Sequence, residues 1–171
     1  MITTRDKILS KVIKPTRYTG GELNAVLKDP DKVGIRFGFC FPDTYEIAMS
    51  HLGMKILYHT LNNRSDCWCE RVFTPWTDME EEMKKHGMKL FALESGDEIT
   101  HFDVLGLTLQ YELSYSNIVH MLNMADIPVK SCDRDESFPI ICGGGPCAYN
   151  AAPVADTFDF LMLGEGVAVI H

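Results

Sequence analysis

The stretch 33–41, VGIRFGFCF, is apolar or aromatic at nearly every position and stops at Pro42-Asp43. A strand with one wet face alternates polar and apolar side chains, whereas a near-continuous run marks a strand covered on both faces. Strands of that kind belong to parallel sheets with helices above and below. The run therefore predicts a central strand, and parallel pairing obliges each strand to be followed by a crossover, usually a helix.

The rest of the chain supplies that alternation. Ile47, Ala48, Leu52, Ile56, Leu57 and Leu61 recur at helical spacing and predict one helix over 45–62, closed by Asn62-Asn63. A strand over 67–73 (CWCERVF) precedes a helix over 77–86 with Thr77 as its cap and Gly87 past its end. Residues 90–93 read as a short extra strand, 102–109 (FDVLGLTL) as a buried one, and 113–125 as a third helix. Two further strands follow: 139–142, ending in Gly143-Gly144-Gly145-Pro146, and 158–163, ending in Gly164-Glu165-Gly166. Five main strands alternating with helices predict an α/β fold, a doubly wound, mainly parallel five-stranded sheet of the flavodoxin-like (Rossmann) type. The expected strand order is 2-1-3-4-5. Residues 1–30 fall outside the pattern and read as an amino-terminal arm on a domain of residues 31–171.

Charge narrows the partners. Sixteen Lys and Arg against 24 Asp and Glu give −8, spread along the chain, which disfavours a grip on nucleic-acid phosphates. Lys7, Lys11, Lys14 and Arg17 cluster in the arm and read as a solvated helix face. No apolar run approaches the ~20 residues that span a bilayer, and the charged amino terminus does not resemble a secretory signal, so no membrane is expected and the cytoplasm is the expected location. The six cysteines read mainly as buried reduced thiols. Cys67 and Cys69 would share one face of a strand, but no second pair follows at zinc-ribbon spacing, so no metal site is expected.

In an open parallel sheet the ligand crevice lies beyond the carboxyl ends of the strands. Four such ends are polar or glycine-rich: 41–46 (FPDTYE), 108–112 (TLQYE), the run at Gly143, Gly144 and Gly145, and Gly164-Glu165-Gly166. The triple glycine is consistent either with close approach of a ligand to the backbone or with a tight crossover turn. No G-x-G-x-x-G fingerprint and no P-loop is present, and the histidines have no nucleophile partner in a recognisable motif. Asp43 and Glu46, at the end of the first strand, are expected to cap the following helix rather than act as a base.

The segments KPTRYTGGELN, FPDTYEIAMSHLG, ILYHTLN, ERVFTPWTDM, FALES, LQYELSYSN, ICGGGP and the closing GEG together resemble the amino-terminal region of a family of cobalamin-domain radical S-adenosylmethionine (SAM) proteins, from Lys14 to Gly166. The resemblance implies a cobalamin-binding-like domain. It also implies, expected after residue 171, a radical SAM domain of the same polypeptide that cleaves SAM with a [4Fe–4S] cluster. Two departures qualify it. The D-x-H-x-x-G loop that ligates cobalt in mutase-type domains is replaced by Asp43-Thr44-Tyr45-Glu46-Ile47-Ala48, and the three-cysteine motif C-x-x-x-C-x-x-C occurs nowhere. The chain is thus expected to be a cofactor- or substrate-positioning module, not catalytic alone. Thr108 and Gln110 would hydrogen-bond the ligand, Gly143, Gly144 and Gly145 would let it approach, Gly164, Glu165 and Gly166 would lie beneath it, and Tyr45 would pack on a ring face. The alternative is a structural or interaction domain that has lost cobalamin. A flavodoxin-like electron carrier is weaker, because Pro42-Asp43-Thr44 offers a flavin phosphate one hydroxyl.

Overall fold

The computed structural model describes residues 4–170. Five parallel strands, β1 (Ile35–Phe41), β2 (Cys67–Phe73), β3 (Val104–Thr108), β4 (Ile140–Gly144) and β5 (Phe160–Met162), lie in the order β2-β1-β3-β4-β5. The doubly wound order expected from the sequence is the order found, with β1 inside the sheet. Among the described residues six α-helices accompany it: α1 (Thr4–Leu9), α2 (Tyr45–Ser50), α3 (Leu52–Asn62), α4 (Thr77–His86), α5 (Tyr115–Met124) and α6 (Gly166–Val169).

Alternation along each strand sorts the core into two layers. Phe37, Phe39 and Phe41 join Cys67, Cys69 and Phe73 under Ala48 of α2 and Met54, Tyr58 and Leu61 of α3. On the other face Cys40, Val72, Leu105, Leu107 and Ile141 pack against Ile118, Met121 and Leu122 of α5. A third cluster joins Ile8, Val12 and Tyr18 of the arm to Met79 and Met83 of α4 and to Phe91. No helix among the described residues is long and apolar enough to cross a membrane.

Several local expectations are corrected. The helix expected over 45–62 is two helices, broken at His51, whose backbone is extended and whose Nδ1 accepts the Met54 N–H at 3.2 Å. The break also splits the expected apolar stripe: Ala48 of α2 and Met54, Tyr58 and Leu61 of α3 are buried, whereas Ile47, Leu52 and Ile56 are exposed. The N-cap of α4 is Trp76, not Thr77, and makes no side-chain capping bond. Residues 90–93 form only one isolated bridge, Phe91 with Glu98, because the Leu90 N–H goes to Met124 and the Leu93 N–H to Arg71. Neither Asp43 nor Glu46 caps α2 as expected. Asp43 accepts the Thr44 N–H and the Tyr111 hydroxyl, tying the ends of β1 and β3 together, while Glu46 pairs with Arg17 at 2.8 Å. The run of glycines is partly strand, since β4 continues through Gly143 and Gly144.

β2 lies at the edge of the sheet, yet all seven of its residues are buried. An edge strand presents unpaired backbone groups that must be paired, covered or exposed. Here side chains take them. The Asn62 amide accepts the Cys69 N–H and donates to the Cys69 carbonyl, each at 3.0 Å, imitating a sixth strand. Lys28 Nζ donates to the Cys67 carbonyl at 2.6 Å, and the Arg71 N–H and carbonyl are taken by Glu94 and the Leu93 N–H. The arm closes over this edge, Trp68 donating its indole N–H to the Val26 carbonyl at 2.9 Å. Asn62→Ala would leave a buried donor and acceptor unpaired, and urea unfolding is expected to show a loss of roughly 2 kcal/mol.

Candidate functional site

A cavity of about 130 Å³ opens where the strands end, between the sheet and the layer of α3 and α6. Phe37 and Phe39 of β1, Leu57 of α3, Met162 of β5 and Ile170 form its apolar wall, and Thr108, Gln110, Gly144 and Gly145 its polar and backbone side. No charged side chain among the described residues lines it. Thr108 is buried, and its Oγ1 has no hydrogen-bond partner among the described residues.

The glycines around the cavity serve different ends. A Cβ on Gly143 would lie 2.8 Å from both Phe158 and Leu161, so that residue faces the α5 layer and its lack of a side chain serves packing. Gly145 has φ +128, and a Cβ there would meet the Leu109 carbonyl oxygen at 2.7 Å, so the crossover turn requires glycine. Gly144 faces the cavity, and a Cβ there would make ordinary contact with Met162, at 3.4 Å. Gly106 is bare because the Phe37 ring lies across it, where a Cβ would come within 2.4 Å of the ring.

Of the residues expected to form a site, the structure brings Thr108, Gln110, Gly144, Gly145, Gly164 and Gly166 around one cavity. It does not bring Gly143, Tyr45 or Glu165 there. Tyr45 turns to the arm, donating its hydroxyl to Glu22 at 3.0 Å and setting its ring edge-on to Phe73. Glu165 is exposed at the start of α6. Sequence reasoning missed the apolar wall. The signal for two of its members lay in VGIRFGFCF, where Phe37 and Phe39 share a parity and hence a face.

The size of the cavity limits what it can hold. A cavity of ~150 Å³ takes a benzene, whereas pockets for larger ligands run to roughly 300–1,000 Å³. The crevice has space for about one ring, a smaller volume than a corrin with its nucleotide tail occupies. The buried thiols of the sheet are inert: burial pushes Cys142 up to about 12 and raises Cys40 and Cys69 as well. No group of three His, Cys, Asp or Glu that could hold a metal comes together among the described residues.

A larger cavity of about 720 Å³ lies under the arm, lined by Glu22, Val26, Met49, Tyr58 and Arg71 among others. Two of its charged side chains, Glu22 and Arg71, are tied into one network, and Lys55 also lines it. Arg71 pairs with Glu94 at 2.6 Å and Glu22 at 2.8 Å, with its guanidinium over the Tyr58 ring. The arrangement clamps the arm to β2 and leaves the Arg71 guanidinium committed within the protein.

A family model described as "Radical SAM proteins, N-terminal" matches residues 53–171. A curated relative, uncharacterized protein MJ0966 of Methanocaldococcus jannaschii, is 34% identical over 126 residues, covering 73% of this chain and 22% of the relative. The matched region thus spans about a fifth of that relative's length. No solved structure matches. With a family model covering well over half of the chain and a parallel sheet whose strand ends converge on one crevice, the chain belongs to the family of radical SAM protein N-terminal domains.

Proposed function

We propose that this chain is the N-terminal, non-catalytic module of a radical SAM enzyme, and that it positions a ligand for a catalytic domain carried elsewhere in the polypeptide. The observation that carries the reading is Thr108, whose buried hydroxyl is unpaired at the mouth of a cavity formed by strand ends. A buried hydroxyl left unpaired costs about 1–3 kcal/mol, and an incoming group that completes the bond accounts for its retention. Large apolar side chains also stand exposed after three strands on the same edge: Tyr111 and Leu113 after β3, Tyr149 after β4 and Leu163 after β5. Such a rim suits docking of a second domain over the crevice.

In this reading SAM and a [4Fe–4S] cluster supply the radical chemistry when bound by the rest of the enzyme. The residues of this chain bind and orient. Thr108 hydrogen-bonds the inserted group, Gln110 offers a second polar contact, Gly144 leaves clearance, and Phe37 and Phe39 form an apolar floor that excludes water. A second reading, an interaction module that has lost cobalamin, draws its support from the crevice's small volume.

Thr108→Val separates the two. Removing an unpaired hydroxyl is expected to raise stability by about 1 kcal/mol in urea unfolding. In the positioning reading the same change weakens capture of a one-ring probe. Phenol, titrated by calorimetry into the full polypeptide, should bind the wild type at least ~10-fold more tightly than Thr108→Val or Gly144→Val, about 1.4 kcal/mol. Equal affinities, or no binding by the wild type, would leave the interaction module as the better reading. Hydroxocobalamin followed by visible absorbance should form no one-to-one complex at this crevice. A complex abolished by Gly144→Val would reinstate the corrin.

A further inference from the structure

One half of one sheet face is bare. Parallel sheets occur almost only with both faces covered, because their side chains are apolar above and below. On the α5 face that condition is met, Leu105 of β3 and Ile141 of β4 being 0% exposed. On the α3 face, by contrast, Ile140 of β4 is 50% and Phe160 of β5 49% exposed, with Val104 of β3 only half-buried beside them. These residues adjoin in the ladder, since Val104 is level with Ile140 and Cys142 with Phe160. The patch is therefore continuous.

We infer that this patch is the seat of an amphipathic helix that continues α6 down the sheet face toward the amino ends of β3, β4 and β5. Continuity with an existing interface identifies the occupant. α6 begins at the carboxyl edge and is already seated on α3, where a Cβ on Gly166 would touch Leu57 at 3.2 Å. Ile170 packs with Phe37, Phe39 and Met162 beside the bare residues. The helix thus enters the α3 layer from the top, and the uncovered residues lie further down the same face. From Gly144 to Ile140 the strand covers roughly 13 Å at ~3.3 Å per residue, which a helix spans in about nine residues at ~1.5 Å each. The continuation should carry apolar side chains at three- and four-residue spacing facing Val104, Ile140 and Phe160. This inference rests on the proposed reading only in taking the polypeptide to continue past residue 171; it does not depend on what the crevice holds, and a failure of phenol to bind leaves it standing.

The test compares the 171-residue chain with the longer polypeptide read from the same frame, using Phe160→Glu and the milder Ile140→Thr. In the 171-residue chain both changes should leave the melting temperature unchanged, and Phe160→Glu should reduce the fluorescence of the apolar dye ANS severalfold. In the longer polypeptide ANS binding should be weak from the start. There Phe160→Glu should lower the melting temperature by roughly 5–10 °C, and Ile140→Thr by roughly 2–4 °C. Circular dichroism reports folding, and Ile140→Thr gives the answer if the glutamate variant does not fold. Unchanged melting of both variants in the longer polypeptide would overturn the inference. So would a dimer, seen by light scattering at both lengths and dissolved by Phe160→Glu, which would identify a second copy as the cover.

Discussion

Replacing Arg71 with alanine is expected to bring the domain close to unfolding. Glu94, whose side chain is fully buried, receives two bonds from this residue, from Nε at 2.6 Å and from the backbone N–H at 2.7 Å. The backbone bond survives the substitution, but the counter-charge does not. Stranding a buried carboxylate costs about 3–5 kcal/mol, against a typical total of about 5–15 for a whole domain. Burial already raises the Glu94 carboxyl above its ordinary value, and Arg71 holds that rise back. In Arg71→Ala the rise becomes larger. A carboxyl raised in the folded state retains its stability below the unfolded value and loses it as pH climbs through the folded value. The deficit of Arg71→Ala should therefore be smallest near pH 4 and grow toward pH 7. Urea unfolding across that range checks both magnitude and sign. The double change Arg71→Met with Glu94→Leu should recover most of the loss, because it removes both desolvated charges together. A deficit in Arg71→Ala that does not vary with pH would mean that Glu94 finds water or another cation.

Alkali should unfold the protein cooperatively, over the same range in which its lysines titrate. Burial raises the thiols of Cys40 and Cys69, and puts Cys142 at about 12, against an ordinary thiol value of about 9. Because the folded values are the higher ones, no stability is lost below the unfolded value. Above it the unfolded chain sheds protons that the folded chain keeps. Each thiol then costs up to about 1.4 kcal/mol per pH unit, so the three together remove about 4 kcal/mol per unit. Half-unfolding by far-ultraviolet circular dichroism is expected at roughly pH 10–11, and Cys142→Ala should cut the slope of stability against pH by about a third. At pH 8 a thiol reagent should modify Cys132, which is exposed, and leave Cys40, Cys69 and Cys142 untouched until urea is added. Stability that stayed flat to pH 12 would contradict this account.

Apolar runs made the strands legible, because burial on both faces leaves a pattern in the chain itself. The boundaries of β2 and α4 coincide with the sequence reading, each being closed by residues that punctuate locally: Thr74-Pro75 after the strand and Gly87, with φ +62, after the helix. Contacts between residues far apart in sequence were not legible. The capping of the β2 edge depends on Lys28 reaching Cys67 and on Glu94 reaching Arg71, and neither leaves a periodic trace. The site was half legible. Position after a strand picked out Thr108 and the glycines, but not which way each one points. Gly143 and Gly144 are neighbours in sequence and face opposite layers, so one serves the core and the other the cavity. Tyr45 follows the first strand as a site residue should, yet the first turn of α2 directs its ring to the arm.

The side-chain caps along β2 also decide how copies of this chain could join. A sheet grows by adding strands at an edge, and indefinite growth needs two receptive edges on every molecule. On β2 the Cys67 carbonyl and both backbone groups of Cys69 and Arg71 already have partners, whereas among the described residues β5 has a neighbour on one side only. The molecule therefore has a valence of one for strand addition. Pairing through β5 uses up the more receptive edge of both copies, and the product is a closed pair whose outer edges are the capped β2 strands, which resist further addition while the Asn62 and Lys28 caps remain in place.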